Sequence, residues 1–130
     1  MNEIKGLALW HEFVKSRDML KLDDFLAKDV VFHSPVVWTP LKGKEIVKMY
    51  LIAAGQIIGN DDFEYVKEIV NENYVILEFK TVIDKVSVQG VDMLTFNKKG
   101  ELTEMKVMIR PLKAVNIVHQ KMGEFLVKRG

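Results

Sequence analysis

The sequence predicts an α+β fold: a cone-shaped, curved antiparallel sheet wrapped around N-terminal helices, plus a C-terminal helix. Three observations carry that prediction. Apolar residues repeat at helical spacing through the first half, and the second half is four β-branched and aromatic runs joined by short turns. Helical spacing then returns in "LKAVNIVHQKMGEFLVKR". Helices followed by consecutive strands give an α+β layout. A strongly twisted sheet with helices across its concave side encloses a hollow, and the wide end of such a cone suits a small molecule.

In chain order, residues 3 to 16 place Ile4, Leu7, Leu9, Trp10, Phe13 and Val14 on one wide helical stripe. Leu20, Leu22, Phe25 and Leu26 continue as a second, short helix after Asp18, which is placed to cap it. "VVFHSP" reads as a brief strand ended by Pro35, and "VVWTPLKG" as a loop. Ile46, Val47, Tyr50, Leu51 and Ala54 set a third helix from Lys44 to about Ile58, closed by "GND". "FEYVKEIV", "YVILEFKTVID", "VSVQGVDMLTF" and "ELTEMKVMIRP" are strands, and the turns "NEN", "DK" and "NKKG" make them an antiparallel meander. Val115, Val118, Met122 and Phe125 line one side of the last helix, whose final turns Gly123 weakens. No repeat or linker interrupts the chain, so residues 1–130 are read as one domain.

With 130 residues, 48% hydrophobic and 28% charged, the chain can close one core. Lys and Arg number 19 against 18 Asp and Glu, a net charge of +1, which supplies no field for nucleic acid. The absence of cysteine excludes disulfides, thiolate metal sites and a cysteine nucleophile. "MNEIKGLALWHEF", with Glu3 early and no small-residue cleavage site, reads as the start of a mature helix. No apolar run approaches the roughly 20 residues of a membrane span, and a cytoplasmic protein is expected.

Function is sought in "GVDMLTFNKKGELTEM", Gly90 to Met105. Read as a strand, it puts Asp92 on the same face as Leu94 and Phe96, looking across at Met105, Val107 and Ile109. A carboxyl among those side chains should titrate above the reference of about 3.9, and can then exchange a proton with a ligand near neutrality. The competing reading has Asp92 pairing at the barrel mouth and only fixing the sheet. His33 is the second candidate catalytic group. Alternation sets it opposite Phe32 and Ser34, so it reaches a ligand only if the strand bends before Pro35. Trp10, Phe13, Tyr50 and Phe63 are candidate pocket walls, with core packing as their alternative; Trp38, in a loop, reads as a pocket rim or subunit contact. Ser34, Leu94, Met105, Val107 and Ile109 complete the candidate ligand-binding set. Three scattered histidines make no metal site, and neither a metal nor a cofactor is expected. Arg110 opposes Ile109 and should form a salt bridge on the outer face. Glu78, Lys80, Glu104 and Lys106 share a sheet face with Ile76 and Met108, a surface suited to a homodimer contact through the sheet.

The order helix, short strand ending in Pro, helix, four long strands, together with "VDMLTFNKKGELTEMKV", resembles the nuclear-transport-factor-2-like superfamily. That superfamily includes the SnoaL-like polyketide cyclases and the ketosteroid isomerases, and the resemblance runs from about residue 3 to 112. It implies a cystatin-like α+β barrel, dimerisation through the sheet, and a pocket-facing carboxyl at Asp92, which matches the oxyanion-hole aspartate of ketosteroid isomerase. Two positions depart from that enzyme. Its catalytic tyrosine falls on Trp10, which cannot ionise, and its general base falls on Ser34, no proton shuttle at neutral pH. The Asp-Arg-Asp arrangement of limonene epoxide hydrolases has no counterpart, Arg110 being the only arginine in the four strands. The first functional expectation is a small-molecule enzyme of isomerase, cyclase or dehydratase type, acting on an apolar ring compound through Asp92. The alternatives are a non-catalytic binding module for a hydrophobic metabolite, and a protein-interaction domain with a plugged cone.

Overall fold

The computed structural model describes residues 4–129; Glu3, where the sequence starts the first helix, lies outside them. Helix α1 spans Lys5–Ser16 and buries Gly6, Trp10 and Phe13. A 3-10 helix, Met19–Asp24, follows, with the Asp18 side chain accepting from the Leu20 amide. It replaces the predicted α-helix: Leu20 is exposed, and Leu26 already belongs to strand β1, Leu26–His33. That strand is longer than "VVFHSP" suggested. Its exposed Lys28 and Asp29 sit where its register against β6 slips, so the alternation is broken just where the sequence was silent.

Strand β2 is only Leu41–Lys42, inside the stretch read as loop, and α2 spans Lys44–Ile57. The meander appears as read: β3 Glu64–Asn71, β4 Tyr74–Ile83, β5 Val86–Phe96 and β6 Leu102–Arg110. Helix α3 occupies Leu112–Arg129. The six strands form one curved, open sheet in the order β2-β1-β6-β5-β4-β3. All neighbours are antiparallel except β1 and β6, a parallel pairing that the long connection through β2, α2 and the other meander strands permits. Asp84 and Lys85 both have positive φ, the geometry of a two-residue hairpin turn between β4 and β5. Between β5 and β6, Asn97 Oδ1 accepts from the Lys99 and Glu101 amides, and Gly100 takes the positive φ that turn requires.

One face of β4 and β5 is buried along its length, every second side chain turning inward. Phe25, Phe79, Phe96, Leu22, Leu77, Leu94 and Leu102 fill that interior. The opposite face carries Ile69, Ile76, Met93, Met108, Glu78 and Lys106 across neighbouring strands. Arg110 lies there too, donating to Gln89 at 2.5 Å rather than forming the predicted salt bridge. No described helix is long and apolar enough to cross a membrane.

Helix α1 approaches the sheet end so closely that a Cβ on Gly6 would overlap the Gly100 carbonyl oxygen and meet the Phe96 ring at 2.7 Å. A backbone oxygen in a fixed turn cannot yield as a side chain does. Gly6→Ala is therefore expected to destabilise the fold by about 3 kcal/mol, measured by urea unfolding. A loss within experimental error would show that α1 can slide, and that its seat on the turn is not fixed.

Candidate functional site

Between α1, α2, α3 and the concave sheet face lies a cavity offering about 90 Å³ to the centres of water-sized groups. Its walls are mostly apolar, with Phe32, Phe63, Phe79, Val107 and Met122 among them. The polar lining groups are Asp92, Tyr65, Ser34, Arg17 and Trp10. Asp92 is 5% exposed, opposite Leu77 on one side and Val107 on the other. Strand alternation is what turns it inward.

A hydrogen-bonded chain ends on this carboxyl. Trp10 Nε1 donates to Tyr65 Oη at 3.0 Å, and Tyr65 Oη donates to Asp92 Oδ2 at 2.5 Å. An indole N–H can only donate, so the phenol proton is directed toward Asp92. Asp92 Oδ1 has no protein partner, and no buried side-chain oxygen among the described residues lacks one. Oδ1 therefore opens on the cavity that Asp92 lines. With Oδ2 bonded to Tyr65, Oδ1 is the oxygen that can donate to a ligand when it carries the proton and accept when Asp92 is ionised.

Burial pushes the Asp92 carboxyl up to about 7, against which the Tyr65 hydrogen bond pulls down. Tyr65 is held well above its ordinary value, by burial first and then by the Asp92 charge and hydrogen bond. Tyr65 is thus a fixed donor, and Asp92 is the group that titrates near neutrality.

Of the sequence candidates, the fold brings Asp92, Trp10, Phe13, Ser34, Phe63, Met105 and Val107 together around the cavity. His33 is not among them. Its Nε2 lies 2.9 Å from Glu104 on the outer face, because the strand stays regular to its end and alternation opposes it to Phe32. Trp38 is 97% exposed on its loop and does not rim the cavity. Tyr50 packs on Phe32 at 6.5 Å between ring centres, behind the wall. Leu94 and Ile109 share the inward face but pack into the core on either side of the cavity. Tyr65 and Arg17 were missed. Tyr65 lies in β3, two residues after Phe63, which stands just before that strand, and its ring meets Phe63 edge-on at 4.9 Å, so period two from Phe63 could have found it. His11 pairs with Glu68 at 2.6 Å beside the site, and no described His, Cys, Asp and Glu cluster could hold a metal ion.

The model of the SnoaL-like domain matches residues 7–105. The chain belongs to the SnoaL-like family, within the nuclear-transport-factor-2-like superfamily. Among solved structures, a steroid delta-isomerase from Pseudomonas aeruginosa is 29% identical with a TM-score of 0.91, covering 95% of this chain and 90% of its own. A protein with a cystatin-like fold from Silicibacter pomeroyi is 26% identical at a TM-score of 0.88, covering 95% and 86%. An NTF2-like protein from Mesorhizobium loti shares the fold at 14% identity, with a TM-score of 0.71 over 82% of this chain and 89% of its own. No curated protein matches this SnoaL-like chain.

The raised Asp92 carboxyl sets a sign for stability. From about 3.8, where the unfolded chain releases its proton, to about 7, the folded protein alone holds it. Stability from this group therefore falls as pH rises through that window and is level above it. Asn has no such titration. Asp92→Asn is expected to gain on the natural protein by a few kcal/mol between about pH 4 and pH 8 in urea midpoints. A difference independent of pH would remove the buried-charge account.

Proposed function

We propose that this SnoaL-like protein is a small-molecule enzyme in which Asp92 alone moves the proton, on a ligand whose buried end is an uncharged ring. The observation that carries the reading is the position of Asp92: a titrating carboxyl with one free oxygen at the bottom of an apolar cavity. In that setting the acid can donate from Oδ1 to a carbonyl or enol oxygen and take the proton back, while Tyr65 holds the second oxygen. The low dielectric strengthens each of these bonds.

Likeness to a steroid delta-isomerase supports isomerase-type proton transfer as the reaction class. Ser34 and Trp10 argue against the two-residue route of ketosteroid isomerases, since neither can serve as its base or its phenolic acid. A second reading, a carrier that binds without turnover, draws on the same fact: among the described residues, Tyr65 is the only ionisable side chain bonded to Asp92. Carboxyl-carbon NMR separates them from a plugged core. The Asp92 resonance is expected to titrate near 7 and to move when a panel of cyclic ketones is added. A midpoint in the ordinary carboxylate range, or indifference to every ketone, would sink the site; ketones that bind without being converted would leave only the carrier, and conversion undiminished in Asp92→Asn would remove Asp92 as the proton-moving group.

The proposed assembly is a homodimer through the outer sheet face, in a cytoplasmic protein. Ile69, Ile76 and Met93 lie side by side across three strands, and Tyr74 and Met108 are exposed near them. Sedimentation is expected to give a dimer that Ile76→Lys converts to monomer, with the Asp92 titration unchanged. A monomeric natural protein would rule the interface out.

A further inference from the structure

We propose that Arg17 receives a carboxylate on the ligand, so that the molecule held in the cavity is an apolar ring compound with an acidic tail. This rests on reading the cavity as a ligand site. Among the described residues that line the cavity, Arg17 is the only cation and Asp92 the only anion. The two sit at different depths: the Arg17 side chain is 48% exposed, while Asp92 is nearly sealed.

Arg17 is placed by the end of α1. Its backbone takes the left-handed conformation, φ 59° and ψ 24°, with its N–H bonded to the Phe13 carbonyl at 2.8 Å. Glycine or asparagine normally fills that position, because a Cβ is crowded there. A long cationic side chain at a strained site on a pocket rim is the pattern of a ligand clamp. Its present partner is weak: Asp61 lies 3.1 Å from Nη1 but is 98% exposed, so the pair contributes little. A guanidinium has five donors in a fork that fits a carboxylate with two parallel bonds.

Electrostatics then fixes the orientation. A ligand carboxylate could not sit beside Asp92 without placing two acids in one apolar space, where one must stay protonated. At the rim it keeps part of its hydration and meets the guanidinium. The ring goes in first and the acid stays at the mouth.

Calorimetric titration of phenyl-terminated alkanoic acids of increasing chain length, each against its methyl ester, tests this. At its best length the acid is expected to bind about tenfold more tightly than the ester, a preference that added salt reduces. In Arg17→Met, which keeps the apolar stem, acid and ester should bind alike, with ester affinity unchanged. Arg17→Gly should behave the same, and because glycine suits the left-handed position it also shows that the loss is not one of folding. Equal binding of acid and ester to the natural protein, or a preference that survives in both variants, overturns the role of Arg17 while the cavity stands. If no acid or ester binds at any length and the Asp92 resonance never moves, the cavity reading falls and this proposal with it.

Discussion

The hydrogen bond from Tyr65 to Asp92 is the interaction on which the rest of the site depends. A carboxyl on the inward face of a central strand is a cost to the fold, since no salt bridge compensates it. Tyr65 lowers that cost without cancelling it, because burial still pushes the carboxyl up from 3.8 to about 7. Tyr65 is held in turn by Trp10 on α1 and by the rings of Phe63 and Phe79, at 4.9 and 6.5 Å. Helix, edge strand and central strand are thus joined through one phenolic oxygen. Moving any of the three would leave a buried polar group unpaired.

Much of this was legible in the sequence, for identifiable reasons. Short turns and unbroken alternation made β3 to β6 readable, and alternation alone turned Asp92 inward. The same rule already aimed His33 away, and the structure follows it. What period two cannot convey is position along the cone. Leu94 shares the face of Asp92, but its next neighbour on that face, Phe96, lies against Gly6, where α1 closes the interior. Ile109 stands at the other end, opposite Gly90, close to where α3 begins. Depth depends on sheet curvature and on where each helix crosses, and those are tertiary facts. Strand β1 was under-read because Lys28 and Asp29 interrupt its pattern at a register slip. Trp38 was over-read because a bulky residue in a loop gives no sign of which way the loop faces.

The comparison with ketosteroid isomerase becomes sharper once the geometry is known. The resemblance sets Trp10 where that enzyme has its catalytic tyrosine, and in this chain a tyrosine reaches the aspartate from the edge strand, with Trp10 on the first helix donating to it. The exchange alters what the cavity can offer. A phenol facing a ligand is a second donor to it; Tyr65 spends its proton on Asp92 and its acceptor capacity on Trp10. The ligand-facing acid–base capacity of this SnoaL-like chain is concentrated in a single oxygen, Asp92 Oδ1.

A single proton-bearing oxygen orients a ligand less than two would. One hydrogen bond fixes a point, not an orientation, and apolar walls are nearly indifferent to rotation about it. Repeated proton transfer at a defined carbon needs the ring held at a second point, far enough away to act as a lever. Ser34 lines the cavity but accepts the Val36 amide at 3.1 Å, which ties its oxygen to the local turn. Among the described lining groups only Arg17 is both strongly polar and distant in burial from Asp92. An inner donor and an outer cation, separated by greasy walls, define an axis. A molecule polar at both ends and apolar between satisfies that axis, and one polar at a single end does not.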